Sequence, residues 1–506
     1  MLRTKPISGK LLELQKEIQG YADEYGLDYF PQIFEMCDYD TINILAAQGG
    51  FPIRYPHWKF GMDYDQLSKG YRYGIQKIYE MVINTKPCYA YLLEVNNWID
   101  QKLVMAHVYG HNDFFKNNMW FSNTNRNMMD VMANHGSKIR RYMEKYGQTK
   151  VELFIDKVLS LENLLDVNNL FETTDVLDSR AEQMRKFRQE KETGGYMVDD
   201  RSQALKSFMR SKDKQDKENE DTSEQSGENH HLSAEKNTSK GERDILKFLI
   251  QNAPVEDWEA DIIACLREEA YYFLPQRMTK IMNEGWASYW HSKIMNYKAL
   301  EPSEFIDFAQ KHAGVMAMSK KNINPYKIGI ELFRDIEHRW DTGKFGKEYN
   351  ECTNMHEKEN WNKETNLGRQ KIFEIRKSHN DISFINEFLT PEFCNRQQLF
   401  TYKHNPRSNR MEIDTRDFES IKQKLLSQLT NFGSPIIQVE DANFKNRKEL
   451  LLKHVHYGVD LDMQFASETM RNLFFMWKRP VNLTTSYEDK EVVFNFDGTE
   501  LKVLNT

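Results

Sequence analysis

The stretch Arg277–Ile294, RMTKIMNEGWASYWHSKI, decides how this 506-residue chain is read. Its pattern predicts a helix on which Glu284 and His291 leave the same face two turns apart. Far upstream, the run His107-Val108-Tyr109-Gly110-His111 places two imidazoles at i, i+4 on a second predicted helix, one turn apart. Two one-sided polar pairs on helices are what a helix-built metal site requires. A lone histidine beside an apolar face is more often a hydrogen-bonded core residue. With 14 histidines in the chain, about 0.4 such pairs arise by chance, so the pair gains weight only if the glutamate helix comes to it.

Composition bounds the alternatives. Hydrophobic residues make up 40% and aromatics 12%, enough for two or three cores. The net charge of -7 argues against a broad nucleic-acid footprint. MLRTKPISGK at the start has no apolar segment of signal-peptide length, and no apolar run reaches the length of a membrane span. A cytoplasmic location is therefore expected, with no nucleic-acid partner and no membrane span. Cys37, Cys88, Cys265, Cys352 and Cys394 are scattered, odd in number and without a C-x-x-C pair, so buried reduced thiols are expected.

Along the chain, residues 9–25 predict an amphipathic helix, and Tyr29–Tyr64, rich in turn residues and aromatics, predicts an ordered loop. Tyr71–Asn84 reads as helix and Cys88–Val95 as a strand. Helices are expected over 100–117, 124–146 and 151–165. From 194 to 241 the sequence is charged and nearly free of large apolar groups, which predicts a disordered insert. Its His230-His231 pair is weak as a metal site for that reason. Helices are expected again at 244–251, at 257–273 with Pro275 as punctuation, at 301–316 and at 324–340. Beyond Gly343, KIFEIR (371–376), SPIIQVE (434–440), PVNLTT (480–485) and EVVFNF (491–496) read as strands, with helices at 418–429 and 467–476.

The run NEGWASYW (283–290) resembles the NEG-aromatic-A-S-Y segment of the gluzincin metallopeptidases, in which the helix glutamate is the third zinc ligand. That resemblance implies a divalent metal, zinc, held by His107, His111 and Glu284, with one coordination position open as in catalytic sites. His291, Asp113 and His135 are candidates for a fourth ligand or for orienting the imidazoles, with His291 placed first among them as a metal ligand. The sequence departs from the gluzincin pattern at Val108, where the family carries its general-base glutamate. Glu269 and Glu162, with Glu268, are candidate replacements for the base, and Tyr289, with Tyr109 and Tyr271, for a group that polarises a carbonyl. A di-iron site needs Glu-x-x-His on two helices, which is not found near these residues. Gly49-Gly50 and the glycines at 343 and 346 continue into neither a Walker loop nor a GxGxxG turn.

Six long runs resemble the stage V sporulation protein R family: FPIRYPHWKFGMDY (51–64), IYEMVINTKPCYAYLLE (78–94), DQKLVMAHVYGHNDFFKNN (100–118), EEAYYFLPQRMTKIMNEGWASYWH (268–291), NPYKIGIELFRDIEHRWDTGKFGKEY (324–349) and HNDISFINEFLTPEFC (379–394). The resemblance implies a cytoplasmic bacterial protein associated with formation of the spore cortex, a peptidoglycan layer. It also implies a wider stress or envelope role, with a serine protein kinase and a von Willebrand A-type protein as partners.

The expected fold is α+β and predominantly α-helical. It has a helix-rich N-terminal part (1–193) bearing zincin-like metal-site helices, a polar insert (194–241), helices completing the first domain (242–343) and a smaller α+β C-terminal domain (344–506). The expected function is sporulation-associated, either through metal-dependent amide hydrolysis or as a non-enzymatic scaffold or regulator.

Overall fold

A computed structural model describes residues 3–72, 80–171, 241–318, 323–488 and 490–504. The polar insert and the His230-His231 pair lie outside the described residues, except for Gly241. The described residues are predominantly helical, with three sheets. None of their helices is long and apolar enough to cross a membrane. The five cysteines are free, four of them buried and Cys352 half-buried.

Three helices form the centre. Trp98–Asn117 carries the histidine pair, Lys280–Ile294 carries Glu284, and Pro325–Thr342 flanks the glutamate helix on its other side. Asn97 caps the first by accepting the Asp100 N–H, and Asn324 caps the third by accepting those of Tyr326 and Lys327. The glutamate helix borrows its cap: the buried Asp381 carboxylate accepts the Ile281 and Met282 N–H groups at 2.8 and 2.9 Å, satisfying donors that a helix cannot satisfy itself.

The crossings are unusually close. A Cβ on Gly110 would lie 2.7 Å from Ala287 Cα, and one on Gly285 would lie 2.4 Å from the Gly329 backbone. Around this centre the sheet β1 (Thr4–Pro6), β2 (Gln32–Cys37), β3 (Glu80–Ile83) and β4 (Cys88–Leu93) is ordered β1-β2-β4-β3, with β2 and β4 parallel.

A second core joins the helices Gln148–Leu159, Ile245–Asn252 and Asp257–Met278 to a C-terminal five-stranded sheet. That sheet comprises β7 (Ile437–Phe444), β8 (Glu449–His454), β9 (Val481–Tyr487), β10 (Lys490–Phe496) and β11 (Leu501–Leu504), after the small hairpin β5 (Thr401–Asn405) and β6 (Arg410–Thr415). Helix Met463–Trp477 makes the crossover between the parallel pair β8 and β9. Residues between 368 and 421, placed above with the C-terminal part, bury Ile372, Ile375, Phe384, Phe388 and Ile421 in the first core.

Several local expectations are corrected. Residues 371–376 lie in a helix, Gly368–Ser378; Ile372 and Ile375 bury one face at i, i+3, a spacing that six residues cannot separate from strand alternation. Within Tyr71–Asn84, Glu80–Ile83 is a strand because it pairs antiparallel with β4, and tertiary pairing outweighs local periodicity. The expected loop 29–64 contains β2, the helix Tyr39–Ala47 and the start of the helix Trp58–Arg72. Pro275 does not end its helix, which runs on to Met278.

Gly329→Val tests the crossing. A Cβ there would sit 2.2 Å from the Ile281 carbonyl oxygen, so the helices must part, at a cost of about 1–3 kcal/mol or more. Urea denaturation of the full chain should show that loss, whereas Gly314→Ala, with open space around it, should leave stability unchanged or slightly raised.

Candidate functional site

The Gly110–Ala287 crossing sets the inner faces of two helices against each other, and His107, His111 and Glu284 meet there. All three offer ligand atoms within 4.8 Å of one another. His107 Nε2 lies 3.4 Å and His111 Nε2 3.5 Å from the same oxygen, Glu284 Oε2. The two imidazole rings are perpendicular, with centroids 4.5 Å apart. Glu284 Oε2 is buried and has no hydrogen-bond partner, because the histidine contacts lack hydrogen-bond geometry.

These separations can be compared with coordination geometry. Ligands bound at about 2.05 Å and at the tetrahedral angle lie about 3.3 Å apart. Octahedral neighbours at the same bond length lie only about 2.9 Å apart. The two nitrogen–oxygen spacings are close to the tetrahedral edge, and two imidazoles with one carboxylate are a donor set that suits zinc with a position open.

The three groups shift one another's ionisation. Burial opposes ionisation of Glu284, but the two imidazoles outweigh it and hold the carboxyl well below its usual range. Burial, reinforced by His111, lowers the His107 pKa. At His111 burial acts in the same sense, but Glu284 outweighs it and the pKa is raised.

The far nitrogens of both imidazoles are held. His111 Nδ1 lies 2.9 Å from Asn283 Oδ1; an amide oxygen only accepts, so Nδ1 donates, which leaves the neutral tautomer's lone pair on Nε2, facing Glu284. His107 Nδ1 lies 2.8 Å from His291 Nδ1, and His291 Nε2 lies 3.3 Å from His312 Nδ1. His291, expected as a fourth ligand or as an orienting group, stands behind His107, where it can orient the ring, and lies outside the three-residue group.

The remaining expected residues are engaged elsewhere. Glu269 pairs with Arg54 at 2.5 Å and with His135 at 3.1 Å, and Glu268 meets His135 at 3.2 Å. Glu162 is half-exposed, 3.9 Å from Lys59. The Tyr289 hydroxyl donates to Glu337 at 2.5 Å; on the helix it points about 140° round from Glu284. Tyr271 donates to Asp244 at 2.7 Å. Tyr109 packs edge-on against Tyr29. Asp113 accepts from Trp286 Nε1 and Arg376, both at 2.7 Å, which ties the histidine helix to the glutamate helix and to Gly368–Ser378.

Two residues that sequence reading did not select face the cluster. Tyr326 stacks on His107, with centroids 6.2 Å apart and planes 24° apart; burial and the nearby Glu284 carboxylate push its phenol far up. Glu80, on β3, is raised to about 7 by burial, with His111 opposing and Glu284 reinforcing the shift. The signals were faint: a tyrosine just inside a helix start at Asn324-Pro325-Tyr326, and one carboxylate in the apolar run IYEMVI (78–83).

A helix-rich chain with a two-histidine, one-carboxylate group between crossing helices can now be set beside known proteins. The family model described as SpoVR like protein matches residues 7–434, and that described as SpoVR-like C-terminal domain matches residues 435–488. The chain belongs to the SpoVR family, and with it to the sporulation-associated proteins. An uncharacterized protein, YcgB, of Escherichia coli (strain K12) is 29% identical over 502 residues, covering 94% of this chain and 92% of the relative. No solved structure matches the chain.

Arg376→Met should show how much the centre depends on its buried pair. It leaves the Asp113 carboxylate without its counter-charge, at a cost of about 3–5 kcal/mol. Adding Asp113→Asn should recover part of that loss, as read from denaturant midpoints of the single and double variants.

Proposed function

We propose that His107, His111 and Glu284 hold a zinc ion, and that the centre hydrolyses an amide bond in a peptidoglycan-related substrate during spore cortex formation. The observation that carries this reading is the buried Glu284 Oε2, without a hydrogen bond, at 3.4 and 3.5 Å from two imidazole nitrogens. A buried carboxylate oxygen that accepts no hydrogen bond is costly unless a cation lies beside it.

A zinc ion there supplies Lewis-acid polarisation of a carbonyl and acidifies water. The chain's own groups do the rest. Asn283 and His291 fix the imidazole orientations from behind. Glu80, whose charge acts on both His111 and Glu284, takes the proton-accepting role that Val108 cannot fill. Tyr326, its ring stacked on His107 and its phenol near Glu284, offers a hydroxyl to donate to the developing oxyanion. The family resemblance supports a cytoplasmic setting shared with a serine protein kinase and a von Willebrand A-type protein.

Elemental analysis of the purified full chain tests the centre. About one zinc per chain is expected, and Glu284→Gln should lose it while remaining folded. Asn283→Ala should retain the fold with metal affinity lowered about 10–100-fold. Glu80→Gln should keep the metal while turnover of cell-wall stem peptides falls about 10²–10⁴-fold. A well-folded wild type that takes up no zinc would sink the metal centre. Stoichiometric zinc with no cleavage of cortex peptides would sink the hydrolase reading.

A further inference from the structure

A cavity of about 210 Å³ lies where the first core meets the C-terminal sheet, and none of the residues of the His107 group line it. Its walls come from the 163–167 turn, the end of the helix Asp257–Met278, the start of the helix Asp381–Phe388 and the 429–437 segment. Leu164, Met278, Ile382, Phe432 and Ile437 give it an apolar body.

Its wall carries two arginines and two aspartates, and the aspartates are engaged elsewhere. Both oxygens of Asp381 are taken by the Ile281 and Met282 N–H groups, and Asp166 accepts from the Asn168 backbone and amide. Among the described residues Arg277 donates to the neutral Asn163 amide at 3.0 Å, and the Glu162 carboxylate acts on it through space without an ion-pair contact. Among the described residues neither the Arg277 nor the Arg243 guanidinium has a carboxylate in ion-pair contact. Arg277 also lies 4.3 Å from the centroid of the Phe432 ring. Phe432 and its neighbour Asn431 both hold left-handed backbone angles, with φ of 57° and 45°. Such strain persists where surrounding structure fixes it, and it is concentrated at ligand clamps and switches.

We propose that this cavity binds a small amphipathic carboxylate, its aromatic or branched apolar body among the five side chains and its carboxylate at Arg243 and Arg277. Apolar pockets with a few placed polar groups are the usual form of small-molecule sites. A guanidinium with no carboxylate in ion-pair contact among the described residues is suited to recognise a carboxylate. The site shares no lining residue with the His107 group, although Asp381 in its wall caps the helix that carries Glu284.

Isothermal titration of the full chain with 3-phenylpropionate, indole-3-acetate and 4-methylpentanoate, each beside its neutral amide, tests the proposal. Saturable one-to-one binding is expected for at least one acid, with its amide at least about tenfold weaker. Arg277→Gln and Arg243→Gln should each erode that preference. Ile382→Trp, at a partly exposed wall position, should fill the cavity and abolish binding without unfolding the chain. Glu284→Gln should bind as wild type does. The proposal is overturned if no acid saturates below about 10 mM, if acid and amide bind equally, or if the arginine and tryptophan variants bind like wild type.

Discussion

The centre of this protein depends on three helices touching backbone to backbone. Gly110 lies against Ala287, and Gly285 against Gly329, so the histidine, glutamate and flanking helices approach more closely than ridge-and-groove packing of larger side chains allows. Polar side chains near such a crossing have little room to avoid one another. Glu284, one residue before Gly285, and His107 and His111, either side of Gly110, are thereby forced into a shared buried space. The same closeness brings Tyr326, three residues before Gly329, over His107.

A buried polar cluster tends to drive its supporting elements apart, and here the surroundings resist that. Asp113 binds the glutamate helix through Trp286 and the 368–378 helix through Arg376. Asp381 caps the glutamate helix from a separate segment. Trp286, Tyr289 and Trp290 are almost wholly buried and give the same helix a large apolar contact. Truncating one partner of such a buried network leaves the other unsatisfied, which is worse than never having built it. The site is therefore held in place from outside as much as from within.

Much of the outline was legible in advance. The helices around 10–24, 98–117, 280–294, 325–342 and 418–429 follow from apolar spacing and caps, and the strands at 88–93, 437–444, 481–487 and 490–496 from β-branched and aromatic runs. The failures share one cause. Residues 80–83 and 371–376 are short apolar segments in which helical and extended periodicities look alike, and their state was settled by neighbours distant in the chain. Glu80 went unrecognised for this reason, since as a helical residue it had no claim to face His111. Glu269 and Tyr289 had suitable chemistry, but Arg54 and Glu337 hold them in other interactions.

The amino-acid sequence by itself determined the family, the helical majority and the pairing of two histidines one turn apart, because these properties are carried within a run of neighbouring residues. It also singled out Glu284, through the NEG-aromatic run. Only the tertiary structure decided that Asn283 would meet His111 across 172 residues of chain, that His291 would support His107 from behind, and that Glu80 and Tyr326 would complete the enclosure. Those outcomes depend on where helices cross and which faces they then share, and a crossing is a relation between segments that neither segment encodes alone.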